Sequence, residues 1–298
     1  MQDDLSTEPG ACCWLEPQLR RVLAPNPSPM THRGTNSYIV GEGSVALIDP
    51  GPALPGHHAA LLAALRPGER ISHILVTHAH LDHSPLAAPL AEVTGAELLA
   101  FGPAARSPAM QALAEAEPGG GEGIDHGFAP QRRLADGESV SGPGWTLTAL
   151  HTPGHLGDHL CFGFGDACFS GDHVMGWSSS LVSPPDGDMT AYRASLDRLG
   201  ATPWRVLFPG HGAPVADPAT RIAWLAAHRR DRERLILDAL AHGPADLASL
   251  AATVYAETPA ALLPAARRNL LAHLVDLAER NRIRADPRLS ATARFHLA

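Results

Sequence analysis

The stretch Thr77-His78-Ala79-His80-Leu81-Asp82-His83 crowds three imidazoles and a carboxylate into the six residues from His78 to His83. Imidazole nitrogen and carboxylate oxygen are the donors that Zn²⁺ and similar divalent ions take, and a loop leaving a strand end can turn such groups inward together. Three further candidates recur in one context: His155 in ALHTPGH, Asp172 in CFSGD and His211 in VLFPGH each stand where an apolar strand-like run meets a Gly turn. That arrangement would bring distant parts of the chain to one sheet edge. A lone histidine is usually a core or capping residue, but four coincidences of this kind point to a metal site.

Groups so far apart need a scaffold, and the first 215 residues supply an α/β pattern. Short β-branched apolar runs (YIVGEGSVALID, ISHILVT, WTLTALHT, HLCFGF, ACFSGD, RVLFPG) alternate with Ala- and Leu-rich helical stretches such as HHAALLAALRPG and SPLAAPLAEVTG. Gly- and Pro-rich segments 117–130 and 176–188 read as loops. From Pro218 the composition turns to helix formers, so we divide the chain at 1–217 and 218–298. The second part predicts a long helix ended by His242-Gly243-Pro244, helices over 246–255 and 259–281, and two short strands with a Pro turn between them. Three helices and a hairpin in that order outline a winged-helix domain.

With its later His, Asp and His, the HxHxDH signature resembles the metallo-β-lactamase superfamily. The segment NPSPMTHRGTNSYIV at 26–40, the PGH ending at His155 and the winged-helix outline resemble its β-lactamase-like protein 2 branch. The resemblance implies an αββα sandwich followed by a small helical winged-helix-like domain. It also implies a first metal site of His78, His80 and His155, a second of Asp82, His83 and His211, and Asp172 bridging the two. Zn²⁺, two per chain, is the implied cofactor, with Mn²⁺ or Fe²⁺ also fitting His and Asp donors. Asp49 in the LIDPG turn and Thr77 would hold the imidazoles in orientation, with Asp158 and His159 as weaker candidates; Asp before Pro-Gly also stabilises a turn by itself.

Such a site predicts a metal-dependent hydrolase that uses a metal-bridging hydroxide as nucleophile, with Asp82 orienting it and moving its proton. The branch includes endoribonucleases acting on single-stranded RNA and fungal thioesterases; RNA cleavage is the family reading and hydrolysis of a thioester or small acyl ester the alternative, so the expected partner is single-stranded RNA or a small-molecule ester or thioester. A non-catalytic nucleic-acid-binding protein is a third reading, opposed by the intact ligand set. No lysine occurs, and the 23 basic residues are all arginine. Residues 218–298 hold 12 Arg against 8 acids and residues 1–217 hold 11 against 23. Arg267, Arg268, Arg280, Arg282 and Arg284 are where a phosphate contact is to be sought. The helix ARRNLLAHLVDLAERNRI is first of all a core-packing pattern, which fits a domain that shapes the cleft or mediates a homodimer.

A start as acidic as MQDDLSTEPG and no apolar run of about 18 residues predict a cytoplasmic protein without membrane contact. For Cys161 and Cys168, both buried free thiols and a cross-strand pair fit the sequence.

Overall fold

The computed structural model describes residues 8–116 and 123–298, so the acidic start at 1–7 and part of the 117–130 segment lie outside the described residues. Two sheets pack face to face. The first runs in the order β1 (Cys12–Glu16), β2 (Leu19–Leu23), β3 (Asn36–Val40), β4 (Ser44–Ile48), β5 (Arg70–Leu75), β6 (Glu97–Ala100) and β7 (Arg132–Arg133). It is antiparallel from β1 to β4 and parallel from β4 onward. Helices α1 (Pro55–Ala63) and α2 (Ala87–Thr94) make the parallel crossovers, and α3 (Pro108–Ala116) follows β6. The second sheet holds β8 (Ser139–Gly142), β9 (Trp145–His151), β10 (Leu160–Phe164), β11 (Ala167–Gly171) and β12 (Val206–Pro209), with α4 (Met189–Gly200) between its one parallel pair, β11 and β12.

Strand alternation sorts the side chains into layers. Tyr38, Trp145, Phe162, Phe169 and Phe208 fill the space between the sheets. Val22, Ile39 and Leu47 on the first sheet meet Leu61 and Leu90 of its helices. On the second sheet, Cys161, Cys168 and Leu207 meet Tyr192 and Leu196 of α4. The architecture is therefore the expected αββα sandwich. The β10–β11 hairpin pairs Cys168 with Gly163, and Cys161 and Cys168 are both buried free thiols.

After α5 (Pro218–Leu240) come β13 (Ala245–Asp246), α6 (Leu247–Val254), α7 (Leu263–Glu279), β14 (Ile283–Asp286) and β15 (Arg294–Leu297), the last two joined as a hairpin. Helix α5 serves two cores: Ile222 and Leu225 pack on the sandwich, whereas Ile236 and Leu240 belong to the C-terminal core. Helix α7 likewise serves more than one core. Leu270, Leu274 and Leu277 face the C-terminal core, Leu271 and Val275 face Met110 and Leu113 of α3, and Ala272 reaches the α4 layer. No helix among the described residues is long and apolar enough to cross a membrane.

Polar contacts complete the docking. Arg221 donates to the carbonyls of Met175 and Ser178, Arg229 to that of Ser180, and Arg268 to Ser183 Oγ and the Pro184 carbonyl. Asn269 Oδ1 accepts from the Val182 amide at 2.9 Å. Four side chains of the C-terminal part thus fasten one loop, residues 173–188, of the sandwich. Arg229 is buried and lies over the Tyr192 ring at 4.9 Å. Arg229→Ala is expected to lower the unfolding free energy by about 2–4 kcal/mol, because it strands a buried carbonyl and removes packed stem atoms. Urea denaturation followed by circular dichroism checks this, and a loss within about 0.5 kcal/mol, as at an ordinary surface position, would contradict it.

Candidate active site

Parallel pairing decides where the motif residues meet. Strands β4 and β5 run side by side, so Asp49 beyond the first stands next to Thr77 beyond the second. Strands β11 and β12 do the same in the other sheet, bringing Asp172 beside His211. The two sheets are tied at this edge by Asn36 and Tyr38: Asn36 Nδ2 donates to the carbonyls of Pro209 and Gly212, and the Tyr38 hydroxyl donates to Pro209. Gly210 completes the turn where nothing larger fits, since a Cβ there would lie 2.4 Å from Asp172 Oδ1 and 2.7 Å from His83 Cε1.

All seven residues singled out for metal binding come together. His78, His80, His155 and Asp172 each offer a ligand atom within 4.8 Å of the others, and Asp82, His83 and His211 form a second such group. Asp172 faces both, with Oδ2 3.6 Å from His155 Nε2 and 3.3 Å from His211 Nε2, and Oδ1 3.6 Å from His83 Nε2.

Four of the five imidazoles are aimed by their remote nitrogen, which donates to a fixed acceptor and leaves the other lone pair pointing inward. His78 Nδ1 meets Thr77 Oγ1 at 2.9 Å, and the Thr77 hydroxyl in turn donates to Asp49 Oδ2 at 2.8 Å. His83 Nδ1 meets Asp49 Oδ2 at 2.9 Å, His155 Nδ1 the Leu181 carbonyl at 2.6 Å, and His211 Nδ1 the Gly34 carbonyl at 3.1 Å. Asp49 also accepts from the Thr77 amide through Oδ1 and sits at φ 49°, a left-handed conformation that Asp tolerates better than most residues. Asp49 and Thr77 therefore stand where an orienting role requires. His159 lies behind the cluster, buried, taking the Asp172 amide on Nε2 at 3.2 Å and meeting Thr152 Oγ1 through Nδ1. Asp158 accepts from the Ala79 amide, and burial pushes its carboxyl up to about 6.

The residues fit a pair of divalent cations. The donor set is imidazole and carboxylate alone, the lone pairs converge, and Asp172 Oδ1 is buried with no hydrogen bond reaching it. The electrostatics differ between the two ends of the cluster. Burial, reinforced by neighbouring imidazoles, holds His78 far below the usual histidine range and His80 at about 3, so both are neutral as ligands must be. At the other end burial opposes charge, but the fields of Asp172 and Asp82 outweigh it and raise His211 to about 9. His83 is raised likewise by Asp82, Asp172 and Asp49 against its burial. The carboxylate of Asp82 is held well below its ordinary range by His83 and His211 despite burial. Its side chain keeps 26% exposure, against 9% for Asp172 and 6% for His155.

A cavity of about 700 Å³ opens on the cluster, lined by His80, Asp82, His155, Asp172 and His211 together with a mostly apolar set. Sequence reasoning missed the groups that act through their backbone, Gly34 and Leu181, and it missed Ser180, whose buried hydroxyl faces the Asp172 carbonyl. No side-chain type marks a carbonyl acceptor. The Ser-rich run around Ser180 signals only a loop.

Comparison with known proteins adds an independent line. Residues 30–211 match the model of the Metallo-beta-lactamase superfamily, and residues 247–290 match that of the Beta-lactamase associated winged helix domain. The Beta-lactamase-like protein 2 homolog of Drosophila melanogaster is 32% identical over 290 residues, spanning 93% of this chain and 92% of its own. An atrochrysone carboxyl ACP thioesterase of Aspergillus chevalieri is 34% identical over 234 residues, 76% of this chain and 67% of its own. Among solved structures, the metallo-beta-lactamase family protein TTHA1429 from Thermus thermophilus superposes with a TM-score of 0.74 at 25% identity, over 96% of this chain and 100% of that one. TTHA1623 in a di-iron-bound form superposes at 0.50 with 30% identity, over 70% of this chain and 96% of that one.

Proposed function

Because the chain belongs to the metallo-beta-lactamase superfamily and carries its associated winged helix domain, we propose that it hydrolyses acyl thioesters at a two-cation site formed by the His/Asp cluster. The observation that carries this reading is the cavity over the cluster, where Met30, Ile124, Trp177, Leu181 and Leu262 present apolar surface to whatever occupies it. An RNA backbone calls instead for cations free to face phosphates. Here Arg221, Arg229 and Arg268 donate to loop 173–188 and Arg280 is held by Glu233 and Asp276, while the exposed Arg267 and Arg284 stand outside the cavity lining. Relatives named as thioesterases support the same choice.

His78, His80 and His155 with Asp172 would hold one cation, and Asp82, His83 and His211 with Asp172 the other. Zn²⁺ suits these donors, as do Fe²⁺ and Mn²⁺, and a relative holds two irons. Bound cations supply a water activated near neutral pH and positive charge opposite the oxygen of the attacked carbonyl. The chain does the rest. Asp82, open to the cavity and fixed by a 3.3 Å contact from Thr35 Oγ1, orients the attacking water and takes its proton. The water oxygen bonds to the acyl carbon, the carbon–sulfur bond breaks, the thiol sulfur leaves with a proton, and the acyl group departs as a carboxylic acid.

The deciding experiment offers metal-loaded protein single-stranded RNA and a panel of acyl thioesters in parallel, with Asp82→Ala as control. Thioester turnover that the variant loses supports the reading; RNA cleavage without thioester turnover overturns it. Dialysis against a chelator is expected to abolish turnover, and Zn²⁺, Mn²⁺ or Fe²⁺ to restore it. Elemental analysis of the reloaded protein should give one cation for each of the two ligand groups. Undiminished activity in metal-stripped protein would exclude the cations from the chemistry.

A further inference from the structure

The cavity is not confined to the catalytic sandwich. Tyr255, Leu262, Ala265 and Ala266 of the C-terminal domain share its lining with the His/Asp cluster. Ala265 and Ala266 stand in the first turn of α7, and Leu262 closes the short helical turn just before it. At about 700 Å³ the space suits a drug-sized molecule, and an acetyl group would leave most of it to water. Met30, Leu81 and Trp177, which are 44%, 52% and 37% exposed, line the same space from three separate loops. Large apolar side chains left open around one cavity gain from being covered by an apolar ligand. The far wall is also held in place: α7 is packed on three sides, and Arg268 and Asn269, one turn beyond Ala265, are bonded to loop 173–188.

We infer that the C-terminal domain is the size gauge of the active site: Leu262, Ala265 and Ala266 set the room available to the acyl group and select bulky, mostly apolar acyl chains over acetyl. This rests on the acyl-thioester reading above. The short side chains at 265 and 266 are what leave the space, and the fastening of α7 keeps its depth constant from one molecule to the next.

The test is a series of straight-chain acyl thioesters from acetyl to dodecanoyl, with kcat/KM measured for the full chain and for two variants. Wild type should gain roughly fourfold per added methylene until the cavity is filled. Ala265→Trp, which puts an indole into the cavity, should cut the octanoyl-to-acetyl ratio of kcat/KM by about tenfold or more. Leu262→Ala, which widens it, should move the preferred chain to greater length. Thermal melts identify which variants fold, and if Ala265→Trp does not, Leu262→Ala decides. An unchanged length profile in the folded variants overturns the gauge while leaving thioester hydrolysis standing. Absence of thioester turnover at every length in wild type overturns both.

Discussion

Asp82→Ala lowers kcat of the metal-loaded protein roughly a hundredfold to ten-thousandfold and moves the melting temperature by only a few degrees; this is the expected result, and its two halves have separate causes. The first comes from position. Asp82 Oδ2 lies 3.1 Å from His211 Nε2 and 3.4 Å from His83 Nε2, and it opens on the cavity, where it would hold a cation and handle the water proton; its removal would take away both roles. The second comes from what Asp82 does not do. Among the described residues it supports no helix cap, and its side chain makes one hydrogen bond outside the cluster, the 3.3 Å bond from Thr35 Oγ1. Its loss leaves no buried backbone group stranded. Turnover and melting measured on the same preparation separate the two, and wild-type turnover in the variant would remove Asp82 from the mechanism.

Asp49 should behave in the opposite way, losing stability and metal together. Both its oxygens are used inside the protein, on the Thr77 amide, the Thr77 hydroxyl and His83 Nδ1. Asp49→Ala leaves three buried polar groups without their acceptor and should cost about 3–5 kcal/mol. Asp49→Asn keeps the side-chain shape and the tolerance of positive φ, but its amide nitrogen must confront a hydroxyl or a ring N–H. It should fold, at a cost of about 1–3 kcal/mol, and bind metal about tenfold to a hundredfold more weakly as His78 and His83 lose their common support. Denaturant unfolding and competition with a metal indicator read the two quantities. Native metal affinity in Asp49→Asn would mean that the carboxylate only stabilises its turn.

The residues of the His/Asp cluster were legible in the sequence for a physical reason. Cation donors must stand where a strand end delivers them to a sheet edge, and such ends are marked by Gly and Pro, as at Pro153-Gly154-His155 and Gly210-His211. Strand β2 carried no such mark. Its sequence LRRVL hides two buried arginines, and Arg20 is accommodated by a bidentate pair with Glu69, 49 residues away. Local sequence gives no sign of a partner at that distance. The C-terminal arginines illustrate the converse. A guanidinium suited to phosphate is equally suited to a carbonyl or carboxylate of its own chain, and Arg229, Arg268 and Arg280 found theirs internally. The winged-helix outline was readable from helix formers and breakers. That its α7 would be buried on three sides was not readable, because Asn269, His273 and Asp276 recur at helical spacing and read as a solvent-facing stripe, whereas His273 and Asp276 are buried.

Helix α5 runs 23 residues without a break, contributing Ile222 and Leu225 to one core and Ile236 and Leu240 to the other. A rod shared in this way turns an appended module into an inseparable one. A chain cut before the helix would bare the part of the α4 layer that Ile222 and Leu225 cover, and one cut after it would leave Ile236 and Leu240 with nothing to rest on. In this chain, therefore, neither the sandwich nor its companion domain can be cut free at α5 without leaving apolar surface bare.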